Sequence, residues 1–294
     1  GETVVHRYDV AIPGDADPGA HELTGSVTYR HQSSVATLPV AATLFVVPAV
    51  VLDSVTTEPA EAQPGDEVSV RAVLRNRSDS VASGTVTYEV PDGWSAPATA
   101  AFEVPASGTT QVDASIDVPL EVTEGSAPIR VSVGDTTGQV GMAALRVVFA
   151  NPPAIVTDHV DLGDGTSEQA HALRASPASG TNVEAGLTRR YTNSAQPGGW
   201  FEMDVAVPTD GRFLLRSVET FDQPQLKTYD VLVDGEVVHE RRYQRTSGGQ
   251  GALSYQFLVD EPAASADGVV TVRFQDVEAD YDPSIADLWV IPVG

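Results

Sequence analysis

The sequence predicts an all-β protein of stacked β-sandwiches, and three observations predict it. Apolar and polar residues alternate, as in Glu67-Val68-Ser69-Val70-Arg71-Ala72-Val73-Leu74, Gly84-Thr85-Val86-Thr87-Tyr88-Glu89-Val90 and Gly268-Val269-Val270-Thr271-Val272-Arg273-Phe274. Segments of period two bury one face of a strand. None keeps helical spacing over the roughly 12 residues a globular helix needs. Pro, Gly, Asp and Asn clusters cut the chain at the intervals of about 8–12 residues expected of sandwiches.

Taken in order, the elements fall into three modules. Two apolar strands end in Pro and restart at once, at Phe45-Val46-Val47-Pro48-Ala49-Val50-Val51 and Phe149-Ala150-Asn151-Pro152-Pro153-Ala154-Ile155. These divide the chain into residues 1–48, 49–150 and 151–294. Linkers so short and Pro-bearing are stiff, which predicts a fixed relative pose. The first module is partial. Its sequence from Gly1-Glu2-Thr3-Val4-Val5 through Ile12-Pro13, Pro18-Gly19, Leu23 and Val27 repeats at Gly108-Thr109-Thr110-Gln111-Val112 through Val118-Pro119, Glu124-Gly125, Ile129 and Val133. The second copy follows a long strand pattern from Val51 to Pro105, and the first does not. A few strands do not close a sandwich. The expectation is therefore that residues 1–48 are the C-terminal part of a truncated module, completed by missing sequence; the alternative is that they pack on the second module as extra strands.

Charge and composition exclude several functions. The chain has 17 Lys plus Arg against 41 Asp plus Glu, a formal net charge of −24, with no cysteine. Residues 1–154 carry 7 basic and 19 acidic groups and residues 155–294 carry 10 and 22, so each half nets −12. Nucleic-acid binding needs clustered cations, which are absent, and anionic membrane surfaces would repel the chain. No apolar run approaches the roughly 18 residues of a membrane span, so no membrane insertion is expected. Without cysteine there are no disulfides, thiolate metal sites or thiol nucleophiles.

Residues 49–150 resemble the NEW3-type module, an immunoglobulin-like sandwich appended to secreted glycosidases such as α-galactosidases. The residues that carry the resemblance are Glu58-Pro59, Pro64-Gly65-Asp66, Val73-Leu74-Arg75-Asn76, Val90-Pro91-Asp92-Gly93-Trp94, Pro105-Ala106-Ser107-Gly108-Thr109-Thr110 and Val118-Pro119. The resemblance implies a spacer without catalysis. Residues 155–294 resemble the C-terminal sandwich of family 127-type (β-L-arabinofuranosidase-like) glycoside hydrolases, through Glu168 and His171, Gly198-Gly199-Trp200-Phe201-Glu202-Met203-Asp204-Val205, Tyr229-Asp230-Val231-Leu232-Val233-Asp234-Gly235 and Val270-Thr271-Val272-Arg273-Phe274-Gln275. The arrangement is also similar to galactose-binding-like and carbohydrate-binding modules, with a final strand Ile285-Ala286-Asp287-Leu288-Trp289. The resemblance implies a jelly-roll-like sandwich. It also implies that a catalytic barrel using cysteine lies outside this cysteine-free chain.

Aromatics make up only 6% of the chain, so each one bears on function. Sugar sites place aromatic faces beside hydrogen-bonding groups. Trp200 follows two glycines, and Tyr191 and Tyr243 stand in polar, loop-like contexts beside Arg189, Arg190, Arg241 and Arg242. These three rings, with Glu168 and His171 from the resemblance, are the candidate carbohydrate-binding residues. The bland reading puts Trp200 and Trp289 in the sandwich core and makes Trp94 a turn anchor. For calcium, which takes six to eight hard oxygen ligands, the candidates are Asp158, Asp280, Asp282 and Asp287, with Asp161 and Asp164 nearby. The competing reading is a solvated acidic loop. No cofactor is required, and a structural calcium ion is the one cofactor entertained. The histidines lack metal-ligand spacing, and no Gly-x-Ser-x-Gly elbow or phosphate loop occurs.

Together these readings give the accessory region of a secreted, extracellular glycoside hydrolase. It would space and stabilise the protein's own catalytic domain, with carbohydrate binding by the last module and plant or microbial polysaccharide as partner. Two other readings remain: a structural surface-display or adhesion protein without a ligand, and an enzyme with an unrecognised carboxylate site.

Overall fold

The computed structural model describes residues 5, 7, 9–12, 16–134, 139–192, 198–209, 212–260, 268–278 and 283–293. The first pair of strands, β1 (Gly19–His31) and β2 (Ser34–Val46), forms an antiparallel hairpin. Nine strands follow: β3 (Val50–Glu58), β4 (Glu61–Ala62), β5 (Glu67–Asn76), β6 (Ala82–Glu89), β7 (Thr99–Val104), β8 (Thr109–Asp117), β9 (Val122–Thr123), β10 (Gly125–Val133) and β11 (Val140–Val147). The chain continues through β12 (Asp158–Asp161), the helix α1 (Gly165–Ala170), β13 (Arg174–Ala175), β14 (Ser179–Glu184), β15 (Leu187–Thr192) and β16 (Trp200–Ala206). It ends with β17 (Arg212–Phe221), β18 (Leu226–Val233), β19 (Glu236–Gln244), β20 (Gly251–Asp260), β21 (Val269–Asp276) and β22 (Ser284–Pro292). The protein is all-β apart from one short helix among the described residues.

Two sandwiches with separate cores result. In the first, sheet β3-β5-β8 faces sheet β4-β11-β10-β6-β7. Strict alternation along β5 sends Val68, Val70, Ala72 and Leu74 inward and Ser69, Arg71 and Val73 outward. They meet Ile129, Val131, Leu145 and Val147 in one core. Each Val, Leu or Ile among them contributes about 1.5–3 kcal/mol when fully buried. Trp94 packs on the rim of this core after the Pro91 turn, as expected of an anchor. In the second sandwich, sheet β14-β15-β22-β17-β20, with β12 also on β22, faces sheet β13-β16-β21-β18-β19. Phe201, Phe213, Tyr229, Phe257, Phe274 and Leu288 fill the space between. First and last strands are neighbours, β12 running antiparallel to β22 with Asp158 opposite Val290 and Asp161 opposite Asp287.

The sandwiches share a sheet. Strand β9 leaves the first sandwich and pairs with β20 of the second, Val122 opposite Gln256 and Thr123 opposite Tyr255. The seam continues on both sides. Glu124 N donates to Ser254 O at 2.8 Å and Ser254 N donates to Glu124 Oε2 at 2.9 Å. Gln256 Nε2 donates to Leu120 O at 2.8 Å, and Asn151 Nδ2 to Ser254 Oγ at 2.5 Å. Arg216 donates to Ala150 O at 2.8 Å and lies 4.7 Å over the Phe149 ring. The pose comes from this seam, which complements the stiffness of the Pro-bearing linker.

The internal repeat is structural. Gly19 and Gly125 both open a hairpin at φ of +139° and +141°, a region glycine enters without steric cost. Gly19 then faces Val46 and Gly125 faces Val147. The surroundings differ. β10 is paired by β6 and covered by the first sandwich's core, so Ile129 is 0% exposed. Leu23, its counterpart, is 37% exposed, and Val27, Tyr29, Leu38 and Val40 on the same face are exposed as well. Among the described residues the β1–β2 sheet has only these two strands.

Candidate functional site

An open cleft of about 500 Å³ lies where the two sandwiches meet. It is within the roughly 300–1,000 Å³ of ligand clefts. Alternation builds it. On β22, Asp287 and Trp289 are two residues apart, so both leave the sheet on the face opposite Leu288 and the core. β17 contributes Val218 to the same face, where it clusters with Ala286 and Trp289. β20 adds Ala252 and Ser254, and β15 adds Leu187. The opposite wall is Glu124, Asn151 and Pro152, next to the seam.

His159 closes one end. Its ring stacks on the Trp289 indole, with centroids 5.2 Å apart and planes 9° apart, and its Nε2 lies 2.8 Å from Asp287 Oδ1. The stack places His159 outermost and leaves Trp289 buried in a small cluster with Val218 and Ala286, apart from the core between the sheets. The cleft thus has an apolar floor, an imidazole, an amide and two carboxylates. The apolar surface suits the C–H face of a sugar ring and the polar groups suit its hydroxyls. Ser254 Oγ, at the cleft's edge, accepts from Asn151 Nδ2, and among the described residues it has no hydrogen bond to a basic side chain.

Of the described residues singled out in the sequence, Asp287 and Trp289 line this cleft, and Glu168, His171, Asp158, Tyr191, Trp200 and Tyr243 lie elsewhere. Glu168 sits in α1 with both oxygens engaged: Oε1 accepts from Arg190 Nε at 2.7 Å and Gly163 N at 2.8 Å, and Oε2 accepts from Arg190 Nη2 at 2.6 Å. His171 caps the same helix. Its Nδ1 lies 2.7 Å from Ser167 O and its Nε2 3.1 Å from Asp158 Oδ1. Asp158 Oδ2 accepts from Ala206 N at 2.7 Å, so this carboxylate latches β12 to β16. Asp164 is the helix N-cap, accepting from Thr166 N and Ser167 N at 3.0 and 2.8 Å. The aspartates spaced three apart therefore start a helix and tie down a strand.

Each of the three candidate rings carries a guanidinium over one face. Arg273 lies 4.4 Å from the Trp200 ring centroid, Arg189 4.6 Å from Tyr191 and Arg241 4.4 Å from Tyr243. Tyr191 and Tyr243 stand inside strands β15 and β19, so their loop-like appearance in the sequence is corrected here. Their polar neighbours misled because the arginines are themselves turned inward. Arg189 donates to Glu184 at 3.0 Å, and Arg241 pairs with Glu219 at 2.9 Å. Tyr243 also borders a second, smaller hollow of about 250 Å³ on the seam, beside Trp94 and Thr123.

Four charged or phenolic groups lie together in the core of the second sandwich. Glu219, at 0% exposure, takes Arg241 on Oε2 and the Tyr229 hydroxyl on Oε1 at 2.7 Å. Burial drives the Tyr255 phenol up to about 12, with the Glu219 charge adding to it, so it stays protonated. On the outer face of β16, Arg174 and Arg273 hold Glu202; against the cost of burial, their hydrogen bonds keep its carboxyl below the usual range. Asp204 is also lowered, chiefly by Arg174. The arginines thus favour the charged forms of Glu202 and Asp204. Near the cleft, Asp161 is pushed up by partial burial and then by the facing Asp287 and Asp164 charges.

For calcium, the described residues make a poor cage. No group of three or more His, Asp or Glu able to hold a metal occurs among them. Asp158 spends its oxygens on protein donors, and Asp280 and Asp282 lie outside the described residues. No helix of the described residues is long and apolar enough to cross a membrane.

Comparison with known proteins gives one family match and a set of distant solved structures. Residues 62–134 match the family described as the NPCBM-associated, NEW3 domain of alpha-galactosidase. That span covers most of the first sandwich. No curated protein matches the chain. Among solved structures, a family 35 carbohydrate binding module from Clostridium thermocellum aligns at 15% identity, over 41% of this chain and 92% of its own, with a TM-score of 0.33. A CBM35 from Paenibacillus barcinonensis aligns at 13% identity, over 46% and 98%, with a TM-score of 0.34. An exo-beta-1,3-galactanase from Phanerochaete chrysosporium aligns at 10% identity, over 93% and 68%, with a TM-score of 0.37.

Proposed function

We propose that this chain is a non-catalytic accessory region of an extracellular glycoside hydrolase, and that its second sandwich binds carbohydrate in the cleft beside His159 and Asp287. The observation that carries the binding is the cleft itself, an open hollow with an apolar floor and converging hydroxyl-binding groups but, among the described residues, no nucleophile bonded to a base. The NEW3 match over residues 62–134 supports the link to a hydrolase. The family 127-type parent, the catalytic partner domain and secretion belong to the same proposal. So does the division into residues 1–48, 49–150 and 151–294, in which the first segment is half of a further immunoglobulin-like module. The repeat of β10–β11 by β1–β2 supports that division.

Affinity electrophoresis of the chain through gels containing soluble arabinan, galactan or mannan tests the binding. Retardation by at least one neutral polysaccharide is expected. Migration unchanged in every gel sinks the carbohydrate-binding reading and leaves a structural role.

A further inference from the structure

We infer that the cleft is a composite site for a neutral glycosyl unit, built jointly by both sandwiches and closed to uronates. The inference rests on the carbohydrate-binding reading above. It comes from which elements carry the walls. Glu124 lies between β9 and β10 of the first sandwich, Asn151 and Pro152 lie in the linker after β11, and His159, Asp287 and Ala252 belong to the second. A second sandwich on its own would present an open sheet face here. The seam supplies the missing wall and fixes it, because Glu124 and Asn151 are both hydrogen-bonded to Ser254 on the floor. The NEW3-type sandwich thereby has a part beyond spacing, as one side of the binding site.

The charge of the walls selects the ligand. Each wall contributes a carboxylate, Glu124 on one side and Asp287 on the other, and among the described residues no lysine or arginine lines the cleft. Asp161 faces Asp287 across the β12–β22 pair and adds to the negative field. A sugar carboxylate entering here would meet like charge on both sides without a guanidinium to pair with it. Neutral hydroxyls meet acceptors instead, and the floor of Leu187, Val218 and Ala252 meets the C–H face of the ring.

Two comparisons on the full chain test this, each read by titration calorimetry near pH 7 and moderate salt. The first sets an oligosaccharide of the neutral polysaccharide that best retards the chain in those gels (arabinan, galactan or mannan) against an oligogalacturonate of equal length. Binding at least tenfold tighter for the neutral ligand is expected, and equal affinity overturns the inference while leaving carbohydrate binding intact. If neither ligand binds, the carbohydrate reading itself fails. The second comparison uses the variant Ala252→Arg, which places a bulky cation in the cleft from an exposed strand position. It should melt like the parent, lose the neutral ligand by at least tenfold and gain on the uronate. Unchanged affinity for the neutral ligand would place the binding site elsewhere and overturn the inference. The charge part separates from the protein's overall negative charge in Glu124→Gln/Asp287→Asn. That variant should narrow the neutral-to-uronate ratio severalfold, and an unchanged ratio overturns selection by the cleft.

Discussion

Arg241 donates from Nη1 to Thr123 Oγ1 at 2.9 Å, and the two residues belong to different sandwiches. The same guanidinium gives Nη2 to Glu219 and lies against the rings of Tyr243 and Tyr255, 4.4 and 4.0 Å from their centroids. One side chain therefore neutralises a buried carboxylate and fastens β9 to the second sandwich. A charge so deep is costly unless paired.

Removing the cation alone exposes that cost. Arg241→Met should lose about 3–5 kcal/mol, because Glu219 remains buried and unpaired. Arg241→Met with Glu219→Gln should recover much of the loss. Urea denaturation of both variants checks this, and a double variant no better than the single one contradicts it.

Acid should weaken the second sandwich through His239. Its ring stacks on Phe257 at 4.3 Å, and burial, then the charges of Arg241 and Arg242, depress it to about 4 from its usual 6.5. Above pH 6.5 the ring is neutral in folded and unfolded chains and costs nothing. Below 6.5 the unfolded chain takes up a proton that the folded one refuses, so stability falls from 6.5 to about 4 and the loss is then complete. The ceiling is about 3 kcal/mol. His239→Phe should keep the stack and flatten that part of the stability profile; an unchanged slope between urea midpoints at pH 7 and 4.5 counts against it.

Glu168 and the cleft should separate in their effects. Glu168→Gln breaks a bidentate pair with Arg190 and should cost about 1.5–3 kcal/mol. Glycan affinity should stay the same. His159→Ala should do the reverse, losing fivefold or more in affinity with little change in melting temperature. Trp200→Ala, on the far sheet beneath Arg273, should leave affinity alone.

The hairpin should bind apolar dyes. Leu23, Val27, Leu38 and Val40 present one exposed face, so the parent should enhance anilinonaphthalene sulfonate fluorescence. Replacing all four with Thr should abolish the enhancement without moving the melting of either sandwich. Persistent enhancement would locate the apolar surface elsewhere.

Much of this architecture was legible because period two is written plainly in segments such as Glu67–Asn76, where every second side chain is buried. The repeat was legible for a similar reason: Gly19 and Gly125 mark the same special backbone position. The seam was not. β9 is two residues, Val122 and Thr123, and a pair that short carries no periodicity. Its partner on β20 is more than a hundred positions away. The cleft was hidden differently. Asp287 taken singly suggests a metal ligand and Trp289 a core residue, whereas alternation on β22 puts both on one face. Only the return of residues 124, 151 and 152 to that face makes a site. The sequence around Tyr243 and Arg241 suggests a solvated loop because the carboxylate that draws Arg241 inward, Glu219, lies on another strand.

The unfilled face of β1–β2 also governs how the protein behaves in a flask. Two thirteen-residue strands with open outer edges among the described residues offer a template on which further strands can add. Mutual repulsion at a net charge of −24 opposes that addition. Salt shortens the reach of that repulsion to about 8 Å at physiological strength and about 3 Å at 1 M. Concentrated solutions should therefore stay clear in dilute buffer and turn turbid as salt is raised.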